Sequence, residues 1–94
     1  MAKRGYVYMM MNPGNTVIYT GVTSDLGRRV AEHKEKTIEG FTKKYNATKL
    51  VWFEEFAAIG DAIASEKKIK AGSRAKKLEL IETLNPEYKN LARS

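Results

Sequence analysis

The run Val17-Ile18-Tyr19-Thr20-Gly21-Val22-Thr23-Ser24-Asp25-Leu26-Gly27-Arg28-Arg29-Val30-Ala31-Glu32-His33 reads as a strand, a glycine turn and a capped helix start. An arginine and the only histidine of the chain follow, one helical turn apart. The first residues are β-branched or aromatic, which suits a pleated, half-buried surface. Gly21 is expected to end the strand. Thr23, Ser24 and Asp25 can each cap a helix, which is expected to continue to about Lys36. On the helical wheel Leu26 and Val30 mark the buried stripe. Arg29 and His33 flank that stripe, whereas Arg28, Ala31, Glu32 and Glu35 turn away. Arg29 is therefore expected to lean over the sheet while Arg28 meets solvent.

Upstream, residues 5–11 alternate Tyr6, Tyr8 and Met10 on one side with Val7, Met9 and Met11 on the other. Both sets are largely apolar, which predicts a central strand covered on both faces. Asn12-Pro13-Gly14-Asn15 is a turn signal, so the two strands form a hairpin. If the loop is four residues long, Met11 pairs with Thr16 and Tyr8 lies directly opposite Tyr19. Opposed residues share a face, with Cβ atoms ~5 Å apart.

Downstream, residues 37–47 form a connection containing Gly40, Phe41, Lys43, Lys44 and Tyr45. Its basic and aromatic mix suits a nucleic-acid backbone, although Phe41 or Tyr45 could equally plug the core. Residues 50–56 read as a third strand, with Trp52 in the core. A helix is expected from Gly60-Asp61 to about Lys70, its buried face set by Ala62, Ile63 and Ile69. Glu66 falls in the middle of that face while Lys67 and Lys68 point outward. A carboxylate there is costly unless something positive meets it, either a basic side chain or a metal. Ala71-Gly72 breaks the helix and Ser73 caps another, with Ala75, Leu78 and Ile81 inward and Asn85-Pro86 as its stop. Tyr88 and Leu91 are expected to dock the tail back onto the fold.

The chain of 94 residues makes one domain, with a core spanning about residues 5–91. Three strands with interspersed helices predict an α+β fold, a small three-stranded antiparallel sheet flanked by helices. The absence of cysteine excludes disulfides and thiolate metal sites and fits a reducing, cytoplasmic setting. One histidine argues against an imidazole-rich centre, so any metal is a hard cation held by carboxylate and water. The apolar run after Lys3 and Arg4 is too short for a targeting or membrane segment. Seventeen Lys and Arg against eleven Asp and Glu give a net charge of +6, which favours a polyanion partner.

These residues resemble a known family. The chain is similar to the GIY-YIG nuclease domain, in particular its short stand-alone bacterial members, which are predicted endonucleases. The first tyrosine motif stands as Tyr6-Val7-Tyr8 and the second as Tyr19-Thr20-Gly21, with Tyr8 and Tyr19 eleven apart. The run to Arg29 and His33 follows, and Glu66 sits in Ala64-Ser65-Glu66-Lys67-Lys68-Ile69-Lys70. Tyr6 replaces the first glycine of the motif, Thr20 its central isoleucine, and Val22 stands where the excision-repair branch usually has lysine.

The resemblance implies hydrolysis of DNA phosphodiesters, in DNA repair or processing, with RNA a second candidate substrate. It implies that Glu66 holds one Mg²⁺ or Mn²⁺ and that Arg29 stabilises charge building on the phosphate. Tyr8 would help activate water, with its proton handled through His33, and Tyr19 would orient water or phosphate. A phenol with an ordinary pKa of ~10 serves as a base only if nearby cations lower it, and Arg29 is the candidate. Gly21 and Asn90 are supporting candidates. Lys43, Lys44, Lys67, Lys70 and Arg74 are candidate nucleic-acid contacts. Taken singly, the tyrosines also read as a packed pair, Arg29 and Glu66 as an ion pair and His33 as an ordinary helix histidine. Their convergence favours a nuclease-type site. The alternatives are a nucleic-acid-binding module that keeps the fold without turnover, and an interaction protein.

Overall fold

Seven residues, Gly5–Met11, form the central strand β1, and all but Tyr6 are buried. The structure, a computed structural model, describes residues 3–35 and 46–92. The expectations placed on Phe41, Lys43, Lys44 and Tyr45 lie outside the described residues. β2 (Ile18–Thr23) and β3 (Lys49–Phe56) pair antiparallel with β1 on either side, giving the order β2-β1-β3. As expected for a central strand, β1 feeds two cores. Val7, Met9 and Met11 join Val51, Trp52, Ala62 and Ile81 on one face. Tyr8 and Met10 join Val30, Ala47 and Leu50 on the other. Helix α1 (Leu26–Lys34) supplies Val30 to the second core. Helices α2 (Ile59–Lys70) and α3 (Arg74–Leu84) supply Ala62 and Ile81 to the first. Among the described residues no helix is long and apolar enough to cross a membrane.

The hairpin register differs from expectation by two residues. Met11 faces Ile18, Met10 faces Tyr19 and Tyr8 faces Gly21. Asn12 is the cause. Its Oδ1 accepts from the backbone N–H of Thr16 and of Val17, both at 2.9 Å, and its Nδ2 donates to Thr16 Oγ1 at 2.8 Å. The side chain thus engages both N–H groups, only one of which a strand could have turned toward β1, and holds Thr16 and Val17 in the loop. Side chains alternate with a period of two, so a shift of two keeps Tyr19 on the face of Tyr8, now as a diagonal neighbour. Gly21 also lies inside β2 rather than at its end.

Other features adjust the packing. Asp25 caps α1, its side chain accepting from Arg28 N, and the helix ends at Lys34. Gly5 lets α2 come close, since a Cβ there would stand 2.8 Å from both Ile59 Cα and Ala62 Cβ. Ile63 and Ala75, expected inward, are exposed. Between Met9 and Met10 the pairing with β3 slips, from Trp52 to Leu50, and leaves Val51 over. This bulge sends Trp52 and Leu50 to opposite cores although they are two apart. The carbonyl of Val51 accepts from Nδ2 of the buried Asn85 at 3.1 Å, and the same amide group holds Lys89 through 2.7 and 3.0 Å bonds. Tyr88 and Leu91 do dock: Tyr88 packs on the first core and Leu91 on the second, its N–H donating to Leu50 O at 2.8 Å.

Candidate active site

Three rings meet on the α1 side of the sheet. Tyr8 rises from the middle of β1, Tyr19 from β2 and His33 from the last turn of α1. The Tyr8 hydroxyl stands 3.0 Å from His33 Nε2. Ring centroids are 6.1 Å apart for the two tyrosines, 5.5 Å for Tyr8 and His33, and 4.9 Å for Tyr19 and His33. Gly21 makes this possible: a Cβ on it would lie 2.6 Å from Cζ and Oη of Tyr8 and 2.9 Å from Cε1 of Tyr19. The tyrosine rings occupy the space that a side chain at that position would fill.

Helix phase then brings Arg29 to the same place, one turn before His33, while Arg28 is exposed as expected. The Arg29 Nε is buried without a hydrogen-bond partner. Its nearest described carboxylate is Glu32 Oε1 at 3.7 Å, an ion pair across three residues of α1. Glu32, expected to turn away, is instead half-buried and its charge reaches the site. The three-residue spacing from Arg29 was the available signal.

The electrostatics keep both members of the Tyr8–His33 pair neutral. Burial pushes the Tyr8 phenol well above its ordinary value, and the neighbouring Tyr19 adds to this; the Arg29 charge opposes the rise without reversing it. Arg29 therefore acts in the expected direction but loses to desolvation. His33 is fully buried, and burial first, then the Arg29 charge, lowers its pKa to about 4, with Glu32 pulling the other way. A neutral imidazole offers one donor and one acceptor nitrogen, so it can accept the hydrogen bond of the Tyr8 hydroxyl.

Glu66 lies on the sheet-facing side of α2, between Ala62 and Ile69, both of which pack on the first core. Its side chain is 13% exposed and its Oε2 is 3.3 Å from Lys70 Nζ, so the positive partner expected of a carboxylate there is present. Lys70 in turn lines a shallow depression with Ile18, Tyr19, Thr20 and Lys77. The Tyr19 ring belongs to the α1-side cluster, whereas Glu66 lies on α2, which packs on the opposite face of the sheet; the two are linked through the depression that Tyr19 and Lys70 both line. Among the described residues no three His, Asp or Glu side chains gather as a ready-made metal cage. A single carboxylate still suits Mg²⁺ or Mn²⁺, which keep waters and take phosphate oxygens as their other ligands.

The remaining candidates fall elsewhere. Asn90 serves β3, its Oδ1 accepting from the backbone N–H of Leu50 and Ala92 at 3.1 Å each. Lys67 is exposed on α2, and Arg74 at the start of α3 donates from Nη2 to Asn15 O in the hairpin loop at 3.3 Å. Lys43 and Lys44 lie outside the described residues.

Known proteins share this arrangement of sequence. The GIY-YIG catalytic domain matches residues 4–79. A UPF0213 protein of Natronomonas pharaonis is 38% identical over 81 residues, covering 86% of this chain and 94% of the relative. One from Staphylococcus haemolyticus is 37% identical over 82 residues, covering 87% and 98%. The solution NMR structure of the UPF0213 protein BH0048 from Bacillus halodurans superposes with a TM-score of 0.59 at 28% identity, covering 97% of this chain and 99% of that one.

Proposed function

The chain belongs to the GIY-YIG catalytic-domain family, and from that premise we propose that it is a divalent-metal-dependent endonuclease that hydrolyses DNA phosphodiester bonds. The observation that carries this reading is the Tyr8–Tyr19–His33 cluster with the partly exposed Arg29 at its rim. The Arg29 side chain is 35% exposed, so its guanidinium can meet a non-bridging phosphate oxygen, where its charge is worth most as negative charge builds in the transition state. Tyr19, a member of the cluster that also lines the depression shared with Lys70, orients the phosphate or the attacking water. Tyr8 does not act as a free phenolate, because its environment favours the protonated phenol. It acts as a relay: as it takes a proton from water it gives its own to His33 Nε2, 3.0 Å away, a transfer that needs the negative charge of the bound phosphate to offset the burial and the Arg29 charge that otherwise keep His33 neutral. The family implies a divalent cation as cofactor; Glu66 would hold it, and it would supply Lewis-acid stabilisation of charge at the scissile phosphate. A catalytic domain this compact reads backbone and DNA shape rather than sequence, which suits branched, nicked or damaged DNA.

The test is cleavage of a panel of duplex, nicked and branched DNA by the purified protein with Mg²⁺ or Mn²⁺. Arg29→Ala is expected to lower the rate by about 10²–10³-fold, the usual cost of one transition-state donor. Glu66→Ala is expected to abolish it, and undiminished cutting by that variant would sink the assignment of the metal ligand. Salt-sensitive binding with no cleavage under any metal would mark the chain as a binding module on the nuclease fold.

A further inference from the structure

Lys70 links Glu66 to the depression beside β2. Its Nζ is 3.3 Å from Glu66 Oε2, and the same side chain lines the depression beside Tyr19. The two partners differ in freedom. Glu66 is 13% exposed and set into the sheet-facing side of α2, whereas Lys70 is 55% exposed on a long flexible stem. Lys77, the other cation in the depression, is tied down: its Nζ donates to Gly72 O at 2.9 Å and to Lys70 O at 3.4 Å, at the C-terminal end of α2. Lys70 is therefore the freer of the two positive charges in the depression that Tyr19 also lines. One ammonium cannot neutralise Glu66 and a phosphate lying against Tyr19 at the same time.

We propose that Lys70 is an exchangeable counter-ion, neutralising Glu66 in the free protein and moving to a nucleic-acid phosphate beside Tyr19 when a divalent cation takes Glu66. This rests on the reading of Glu66 as the cation's carboxylate. It makes Lys70 a positioning residue, and it has a thermodynamic signature. Cation and nucleic acid each favour the arrangement the other needs, so each raises the affinity for the other by the same factor. In the free protein Lys70 competes with the cation. Loss of a partly exposed ion pair of this kind tightens cation binding by about two- to fivefold.

The experiment measures binding, not turnover. Mn²⁺ affinity of the free protein is followed through the electron paramagnetic resonance signal of the unbound ion. Affinity for a short fluorescein-labelled duplex is measured with and without Mn²⁺ in a Tyr8→Phe background, which slows cutting and changes no charge. Lys70→Gln is expected to bind Mn²⁺ about two- to fivefold more tightly and to lose the Mn²⁺-induced gain in duplex affinity; Lys70→Arg is expected to restore that gain in part. Unchanged Mn²⁺ affinity and unchanged coupling in Lys70→Gln would overturn the exchange and leave the Glu66 assignment standing. Unchanged Mn²⁺ affinity in Glu66→Gln would overturn that assignment, and the exchange with it.

Discussion

Tyr8 and His33 are buried in such a way that a charge on either is opposed by its surroundings. That has consequences for stability as well as chemistry. In the unfolded chain His33 takes up a proton near pH 6.5; in the fold it refuses one until about pH 4. The unfolded state therefore binds more protons across that window. The stability this residue contributes is full above about pH 6.5 and falls as pH drops toward 4, by about 3 kcal/mol at most. His33→Gln is expected to flatten the pH dependence of the urea midpoint between pH 4 and 7 relative to wild type, and parallel curves would show that His33 is not the group involved. Tyr8→Phe separates packing from chemistry. The ring and its packing stay, while His33 Nε2 is deprived of the hydroxyl, a cost of about 1–3 kcal/mol visible as a lower midpoint. Cleavage is expected to fall by about 10²–10⁴-fold, the range for removal of a proton-transfer group, when rates are compared at a pH where both proteins are folded.

At the scale of elements, the hairpin shows what a sequence can and cannot disclose. The alternation of residues 5–11 and the phase of Leu26, Arg29, Val30 and His33 were legible, because both depend on fixed backbone periods. They were enough to put Tyr8, Tyr19, Arg29 and His33 on one side of one sheet. The register was not legible. It depends on Asn12 holding two backbone N–H groups, a competition decided by side-chain geometry rather than by residue type. The bulge at Val51 was equally hidden, along with the buried Asn85 that satisfies its carbonyl. Glu66 was visible as a carboxylate in an apolar stripe, and the four-residue spacing to Lys70 was the available signal for its partner, since Lys67 and Lys68 turn away. The real register gives Gly21 a specific role. Gly21→Ala puts a methyl group 2.6 Å from the Tyr8 hydroxyl, at a ring with little room to retreat. We expect a loss of about 1–3 kcal/mol by chemical denaturation, as for other overpacked sites, together with loss of cleavage. Wild-type stability in this variant would mean that the ring cluster is looser than described.

The whole molecule carries its excess charge unevenly. From Lys67 to Lys77 the sequence has six cations and no acid, and the structure folds this stretch into the turn between α2 and α3. Lys70 and Lys77 from this stretch line the depression beside Tyr19, and Arg74 reaches the hairpin loop through Asn15 O. Acidic side chains gather instead on β3, where Glu54 and Glu55 are exposed. A polyanion approaching such a field is drawn to the α2–α3 turn, and so to the depression that Tyr19 shares with Lys70 and Lys77. Lys67 and Arg74 are exposed and belong neither to the ring cluster nor to the Glu66 pair, so they test attraction apart from chemistry. For duplex DNA, every cation removed from a phosphate lowers the slope of log affinity against log salt by about 0.9. Replacing both Lys67 and Arg74 with Gln is therefore expected to reduce that slope by about two, to raise KM at moderate salt and to leave the rate at saturating DNA nearly unchanged. Replacing Glu54 and Glu55 with Gln is the control, an opposite charge change of the same size on the acidic strand, with no change of slope expected. Equal and opposite effects from the two pairs would mean that DNA responds to net charge alone. A slope reduced only with Lys67 and Arg74 would fix the path of the backbone across the α2–α3 turn to the aromatic cluster.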